Sequence, residues 1–272
     1  MTPEGLLSIL VVRRDVSGGE RASQTRRVVI LHSGGKDSTY AAWWAQMKGW
    51  EIAACCTVLV DSNDSMMFQI DSSWVSGLQS SGMGCPWLPV VSTGEPEVEV
   101  TDLLDGLRSG VDSNAVIGWF DRRGMNAPEF VHSINGSWDG VVVGAIRSDY
   151  QKTRIERLSA ELGISVHTPL WHHDSKRHMR DMISHGFELM MVSVSSEGLD
   201  SSWLGKVLDL DSLDDLISLS EQHRFHPDGE GGEFETLVLS GPHMGGRIHL
   251  EGEVMWDGRR GIWKINNASM SG

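Results

Sequence analysis

The sequence contains only three cysteines, Cys55, Cys56 and Cys85, among its 272 residues. Their number is odd, two of them are neighbours in an apolar stretch, and no Cys-x-x-Cys occurs, so neither a disulfide framework nor a zinc ribbon fits. The longest apolar stretch, residues 52–60, is much shorter than the roughly 18 residues that a membrane-spanning helix needs. These absences predict a cytoplasmic protein that does not enter a membrane.

Basic residues are also scarce. The 23 Lys and Arg are outnumbered by 37 Asp and Glu, which leaves a net charge of −14. A surface this acidic repels a phosphate backbone and gains little from counterion release, so nucleic acid is not expected as a main partner. At about 150 residues per domain, the length predicts two domains or one large one.

Apolar runs that suit buried strands alternate with helical patterns through much of the chain. The first unit combines a strand, a glycine-rich turn, a helix and a second strand, which is the order of a βαβ crossover. Strands are predicted at 28–31, 52–60, 140–146, 164–168 and 187–194, with helices at 38–48, 150–162 and 175–185. This alternation predicts an α/β fold built on a doubly wound, Rossmann-like parallel sheet.

The pattern changes towards the C-terminus, where apolar and polar residues alternate at 233–239, 247–253 and 262–265. Such alternation is typical of antiparallel strands and predicts a second, smaller α+β domain. We therefore expect an N-terminal extension at 1–25, a sheet domain at 26–170 and a C-terminal domain at 171–268. The segment 112–137 is interpreted as a long irregular insertion that is packed by its own aromatic residues.

The turn after the first strand carries the strongest chemical signal. It consists of Ser33, Gly34, Gly35, Lys36, Asp37 and Ser38, directly before a helix. Two glycines let consecutive N–H groups converge on an anion, and the start of the helix and the two hydroxyls add further donors. A Walker A loop would need glycine at Ile30 and a dinucleotide loop would need glycine at Lys36, so the turn predicts a phosphate site of another kind.

These six residues resemble the PP-loop of the N-type ATP pyrophosphatases, which split ATP between its α and β phosphates. The resemblance implies that the loop binds ATP and holds pyrophosphate, with Lys36 offsetting the charge of the leaving group. Asp37 becomes a candidate partner of Mg²⁺, which prefers carboxylate and phosphate oxygens. Lys152 and Arg154 are further candidates for the phosphates; the alternative for both is a solvated helix face shared with Glu156.

A closer resemblance, to the diphthine–ammonia ligases, extends over about residues 27–265. It rests on short motifs spread along both predicted domains: Asn63-Asp64-Ser65, Met67-Phe68, Leu78-Gln79, Gly144-Ala145, Tyr150-Gln151-Lys152, Arg154-Ile155-Glu156, Thr168-Pro169-Leu170-Trp171, Glu197-Gly198-Leu199-Asp200, Ser202-Trp203-Leu204-Gly205 and Gly229-Glu230-Gly231-Gly232-Glu233-Phe234-Glu235-Thr236. The last two motifs are the most discriminating. The resemblance implies ATP-dependent amidation of diphthine to diphthamide on translation elongation factor 2, through an acyl-adenylate, with ammonium consumed and AMP and pyrophosphate released.

Three glutamates in the last motif are candidates for the amidation step. Glu230 and Glu233 flank a glycine pair, and carboxylates this close repel one another unless a cation lies among them. We expect Glu230 and Glu233 to collect ammonium or to act as the base that frees ammonia. Glu235 and Trp203 are candidate substrate-binding residues. The reason for Trp203 is that an aromatic face attracts the trimethylammonium group of diphthine. The alternative is an acidic, exposed hairpin.

Two other functions remain open at this point. One is a PP-loop ligase or thiolase that acts on tRNA or on a small carboxylate; the acidity and the lack of paired catalytic cysteines count against the tRNA version. The other is a nucleotide-binding sensor without turnover. The neighbouring His172, His173 and Asp174 are interpreted as a helix start, with Asp174 or Ser175 as N-cap, rather than as a metal site. The sequence leaves both a monomer and a homodimer open.

Overall fold

The computed structural model describes residues 25–60, 72–144 and 149–272. Its first layer is a five-stranded parallel sheet of β1 (Arg27–Leu31), β2 (Glu51–Val60), β3 (Trp87–Ser92), β4 (Gly140–Val143) and β5 (Ser165–His167). The strand order is β3-β2-β1-β4-β5, so the predicted parallel sheet is confirmed. The chain extends this sheet in one direction through β2 and β3 and then returns to add β4 on the other side of β1. The topological switch point therefore lies between β1 and β4.

The helices that flank this sheet are α1 (Lys36–Met47), α2 (Ser76–Gly82), α3 (Pro96–Ser109), α4 (Ser113–Asp121) and α5 (Asp149–Leu162). Helix α1 begins two residues earlier than the pattern predicts, because the Gly35 carbonyl already accepts the Thr39 N–H at 3.1 Å. It ends before Gly49, whose φ of +70° favours glycine, as predicted. Its small side chains Ala41, Ala42 and Ala45 are fully buried and let the helix approach the sheet closely.

The segment 112–137 differs from the expected irregular insertion. Its first third forms α4, which is capped at its start by the Asp112 side chain accepting from the Asn114 N–H. The buried Trp119 and Phe120 belong to the same core cluster as the parallel sheet, and Trp119 Nε1 donates to the Val60 carbonyl at 3.1 Å. The aromatic residues therefore pack into the main core, not against one another alone.

The second layer is an antiparallel sheet formed by β6 (Glu188–Val194), β7 (Val207–Leu208), β8 (Phe234–Ser240), β9 (Arg247–Trp256) and β10 (Gly261–Ser271). Helices α6 (Ser175–Ser184) and α7 (Leu210–His223) accompany it. The sequence pattern assigns β6 to the α/β alternation, but the strand pairs antiparallel with β7, β8 and β10. Its sequence resembles that of a central parallel strand because both of its faces are buried.

Those two faces of β6 join the two layers. Met190 and Val192 pack in the core of the parallel sheet, whereas Leu189, Met191 and Val194 pack in a second core with α6 and α7. From the other side, Tyr40 and Trp43 of α1 pack against that second core. Helix α1 is therefore held between the two layers, and the loop before it lies where they meet.

Candidate active site

The PP-loop, residues 33–38, follows β1 at the switch point of the parallel sheet, where α/β proteins bind their ligands. Gly34 has a φ of +86°, which disfavours any side chain, and a Cβ there would lie 3.1 Å from Gln79 Oε1 and from a methyl group of Leu237. At Gly35 a Cβ would lie 3.3 Å from the Thr236 carbonyl oxygen. The first glycine is thus required by its backbone angle and the second by the close approach of β8.

Strand β8 and helix α2 hold the loop in place. The Gly34 carbonyl accepts the Val238 N–H at 3.1 Å. The fully buried Gln79 amide donates to the same Gly34 carbonyl at 2.9 Å and to the Val238 carbonyl at 2.7 Å. The nucleotide loop is therefore shaped jointly by the parallel layer and by a strand of the antiparallel layer.

The two hydroxyls of the loop hold its own backbone together. The Ser33 N–H donates to Ser38 Oγ, and the two hydroxyl oxygens lie 3.2 Å apart. Ser38 Oγ in turn donates to the Gly35 carbonyl at 3.1 Å. Ser38 is buried and therefore shapes the curve of the loop, while Ser33 is exposed at its surface.

Lys36 and Asp37 form a charged group with a histidine from the second layer, in which Lys36 and the histidine are buried and Asp37 is half-buried. Lys36 Nζ lies 2.7 Å from Asp37 Oδ2, and His178 Nε2 on α6 lies 3.0 Å from Asp37 Oδ1. Burial alone would raise the pKa of Asp37, but the Lys36 charge and the His178 hydrogen bond outweigh it and hold that pKa below its usual value. Asp37 is therefore an ionised carboxylate with a donor on each oxygen.

Gly144, which follows β4, lies directly against the first turn of α1. A Cβ at this position would lie 2.4 Å from the Asp37 carbonyl carbon and 2.6 Å from the Ser38 nitrogen. All the nearest atoms are backbone atoms, so no flexible side chain can move aside. The Gly144-Ala145 motif thus owes its glycine to the packing of β4 on the loop, while residues 145–148 lie outside the described part of the chain.

A buried histidine and a half-buried one, His32 and His243, lie behind the loop. His32 precedes it directly, and His243 lies in the turn between β8 and β9. Burial, aided by the nearby His243, lowers the pKa of His32 to about 4, and burial lowers the pKa of His243 to about 4 as well. Both imidazoles are neutral at neutral pH and add no positive charge to the site.

The three glutamates of the C-terminal motif fall in two places. Glu235 is exposed on β8, opposite the loop; partial desolvation raises its pKa and the Lys36 charge opposes that rise. Glu233 lies just before the strand, where one carboxylate oxygen accepts the His226 N–H at 2.9 Å and Oε2 is buried with no hydrogen bond from the described residues. Glu230 is half-buried in the same turn.

That turn contains one more carboxylate, which sequence reasoning missed. Asp228 is fully buried, and its Oδ1 accepts the Glu230 N–H at 3.4 Å. Positive φ angles at Gly229 and Gly232 fold the turn, and Ser195 Oγ closes it by donating to the Gly232 carbonyl at 2.6 Å. The glycine-rich motif therefore concentrates acidic side chains at the end of β8 that adjoins the loop.

Trp203 occupies a more structural position than predicted. Its side chain is 7% exposed within the second core, and Lys206 Nζ lies 4.6 Å from its ring centroid. Asp200 caps the same turn by accepting the Ser202 N–H, and Gly205 has a φ of +80° with Trp263 packed against it. A protein cation already interacts with the Trp203 ring, so its role towards trimethylammonium stays a prediction.

The other candidates for phosphate contacts lie on or near α5. Arg154 is half-buried there. Burial raises the pKa of Glu99 on α3, and the Arg154 charge only partly opposes that rise. The Lys152 side chain lies outside the described residues, as do the motifs Asn63-Asp64-Ser65 and Met67-Phe68. Their roles stay predictions.

The donor groups at the loop are compatible with Mg²⁺ held mainly by phosphate oxygens. Each oxygen of Asp37 accepts one hydrogen bond from the protein and keeps a further lone pair. One carboxylate next to an anion-binding loop is the usual protein contribution to such a site. Among the residues that the structure describes, no group of three His, Cys, Asp or Glu could hold a metal ion, and Asp174 caps α6 as predicted.

Sequence reasoning also missed Gln79 as the link between loop and strand, and His178. Gln79 contacts Val238, which is 159 residues away, so nothing local indicates the bond. For His178 the sequence does contain a signal. It occupies a stripe of α6 with Ser175, Met179 and Met182 that is buried at helical spacing, where a histidine must find a polar partner.

Comparison with known proteins agrees with this geometry. The family model "Diphthamide synthase N-terminal domain" matches residues 26–123, and "Diphthamide synthase C-terminal domain" matches residues 174–270. No helix in the described ranges is long and apolar enough to cross a membrane.

Three curated relatives carry the name diphthine–ammonia ligase. The Danio rerio protein is 33% identical over 83% of this chain and 86% of its own length, and the Homo sapiens protein is 30% identical over 79% of each. The Schizosaccharomyces pombe protein is 30% identical over 85% of this chain, which spans 38% of that longer relative. The predicted family is confirmed, and with it the class of C–N bond-forming ligases: the chain belongs to the diphthine–ammonia ligase family.

Proposed function

We propose that this chain amidates diphthine on translation elongation factor 2, using ATP and ammonium and releasing AMP and pyrophosphate. The observation that carries the proposal is the contact between the PP-loop and β8. Through this contact the loop, whose geometry suits phosphates, lies beside β8, the strand that begins at the acidic motif. Glu235 on this strand is close enough to Lys36 for the Lys36 charge to oppose the rise in its pKa. An acyl phosphate formed at the loop would therefore face the carboxylates that can attract ammonium.

In the first step an oxygen of the diphthine carboxylate attacks the α-phosphorus of ATP, and the bond between that phosphorus and the oxygen of the β-phosphate breaks. The electron pair leaves with pyrophosphate. The backbone N–H groups of the loop and the Lys36 ammonium are placed to stabilise that growing negative charge. Mg²⁺, when bound between Asp37 and the phosphates, would supply further charge neutralisation. The protein contributes mainly position and charge.

In the second step the nitrogen of ammonia attacks the acyl carbon, and AMP departs with the electron pair of the acyl–oxygen bond. Ammonium itself has no lone pair, so a base must take one proton before the attack, and the nitrogen loses a second proton to water after it to give the neutral amide. Glu233 is the best placed for this role, since its Oε2 is buried and makes no hydrogen bond with the described residues. Glu230, in the same turn, would contribute charge that attracts the cation.

Incorporation of labelled ammonium into elongation factor 2 that carries diphthine tests the proposal. With ATP and Mg²⁺ we expect one label per target protein, together with stoichiometric AMP. Label found in tRNA or in a small carboxylate instead would transfer the chemistry to another acceptor. ATP binding without AMP release, with every acceptor tested, would identify a sensor and contradict the proposal.

A cytoplasmic location fits the three free cysteines, two of them buried.

Replacing Glu233 with glutamine should lower kcat/KM for ammonium about 100- to 10,000-fold, the scale of general base catalysis, while KM for ATP stays within about twofold. The glutamine oxygen can still accept the His226 N–H, so the turn keeps its shape and only the charge and the base are lost. Steady-state rates at limiting and saturating ammonium give the two constants.

The matched control is Glu251→Gln, an exposed glutamate on β9, which should leave both constants unchanged. Full turnover of Glu233→Gln at limiting ammonium would remove Glu233 from the role of base. It would leave adenylation at the loop unaffected.

A further inference from the structure

His178 reaches from the second layer into the charged residues of the PP-loop. It lies on α6, its side chain is 1% exposed, and its Nε2 donates to Asp37 Oδ1 at 3.0 Å. Whereas Gln79 and Val238 hold the backbone of the loop, His178 contacts the side chain of Asp37 in the first turn of α1. It is therefore a different kind of link between the two layers.

The hydrogen bond fixes the orientation of the Asp37 carboxylate. With His178 on one oxygen and Lys36 Nζ on the other at 2.7 Å, rotation of the carboxylate would break both contacts. The Lys36 side chain is itself 7% exposed and has little room to move. The position of the ammonium therefore depends on the carboxylate, and the position of the carboxylate depends on His178.

The imidazole is in turn held in place by aromatic neighbours. The Tyr40 ring on α1 meets it edge-on, with 5.0 Å between ring centroids, and the His173 ring lies 6.1 Å away. Met179 and Met182 of the same helix are fully buried beside it. Packing fixes the ring, so it can direct its N–H without paying further conformational entropy when substrate binds.

We propose that His178 is a positioning residue for adenylation, which holds the Lys36 ammonium, through Asp37, where the leaving pyrophosphate develops its charge. That the step is an adenylation rests on the proposed function, whereas the binding of pyrophosphate at the loop does not. Because the charge on pyrophosphate is greater after cleavage than in bound ATP, the benefit of a well-placed ammonium falls on kcat and on the affinity for pyrophosphate. The KM for ATP changes less.

Two substitutions separate the hydrogen bond from packing. His178→Leu fills the space among Tyr40 and the methionines but removes the donor, whereas His178→Gln keeps an N–H. We expect His178→Leu to lower the kcat of pyrophosphate release and the affinity for inorganic pyrophosphate about tenfold each, with KM for ATP within threefold. His178→Gln should recover both to within threefold, and the control Ile183→Leu, a partly buried position elsewhere on α6, should change neither.

A double substitution tests the route through Lys36. In a Lys36→Met background, His178→Leu should cause no further loss of pyrophosphate affinity, since the group that it positions is gone. Equal losses in the Leu and Gln variants, or a full additional loss in the Lys36→Met background, would overturn the proposal and leave His178 a packing residue. Thermal unfolding of each variant identifies any that are simply less folded.

Calorimetry with inorganic pyrophosphate needs no diphthine acceptor. If the order of affinities, wild type and Gln above Leu, holds but no acceptor is amidated, the role of His178 stands and the proposed function fails. If amidation occurs but the order of affinities does not hold, the proposed function stands and the role of His178 fails.

Discussion

Replacing Lys36 with methionine should lower the rate of pyrophosphate release from ATP about 100- to 1,000-fold, the loss seen when one preorganised donor to a developing anion is removed. Methionine fills much of the same buried volume, so the change removes the charge and leaves the packing. The Asp37 carboxylate keeps its bond from His178, which limits the cost of leaving it without its cation. Rapid quenching of a single turnover, with labelled ATP, measures the step directly.

The control for this experiment is Lys48→Met at the other end of α1. Lys48 is exposed, caps the helix and places its ammonium 5.5 Å from the Trp44 ring centroid, far along the helix from the loop. We expect its rate to match that of the wild type within about twofold, because a solvated charge at that distance is screened. Near-normal pyrophosphate release by Lys36→Met would mean that the backbone of the loop alone stabilises the leaving group.

Replacing Gly144 with alanine should abolish ATP binding and destabilise the protein by about 2–4 kcal/mol, more than ordinary overpacking of a core. The new methyl group would lie 2.4–2.6 Å from three backbone atoms of Asp37 and Ser38, so either β4 or the first turn of α1 must shift. A shift there moves Lys36 and Asp37 together. Calorimetric ATP titration and denaturant unfolding measure the two effects separately.

Gly118→Ala provides the comparison, because Gly118 lies within α4 and a Cβ there meets only the flexible end of Arg122, at 3.3 Å. Alanine is the better helix former, so this variant should be more stable by about 0.5–1 kcal/mol and should bind ATP normally. If Gly144→Ala bound ATP with unchanged affinity, the contact between β4 and the loop would not be needed for the site.

Local patterns were sufficient for β1, β2, β4, β5, α1 and α5 of the parallel layer and for the loop itself, whereas β3, α2 and α3 were not predicted. The run from Val28 to Leu31, the two glycines and the helix that follows lie within some twenty residues, and each obeys a short-range rule. The same rules failed for β6, since burial on both faces is common to a central parallel strand and to a strand between two cores. They also failed for α4. Asp112 caps the start of this helix, but the rest of the segment 112–137 suggested an irregular loop.

The partners of the loop could not be predicted, because they depend on long-range packing. Gln79 and His178 contact the loop from 45 and 141 residues away. The Gln79 bond leaves no periodic mark in the sequence, and the helical spacing around His178 indicates a buried position but not its partner. Trp203 shows what a local motif can also contain. Its aspartate, tryptophan and glycine all contribute to the packing of one turn, which the sequence did not predict, and the role of Trp203 towards trimethylammonium stays a prediction.

The contact between the Gly34 carbonyl and Val238 has a consequence for synthesis of the chain on the ribosome. Residues 27–60 emerge early and can pair as strands, and Gln79 and His178 follow, but the backbone groups of β8 that contact the loop arrive only when residues 234–238 have been made. A nascent chain that lacks β8 would therefore have the glycines of the loop without the strand that packs against them. ATP affinity, followed on stalled chains of increasing length, should appear abruptly once this strand leaves the exit tunnel.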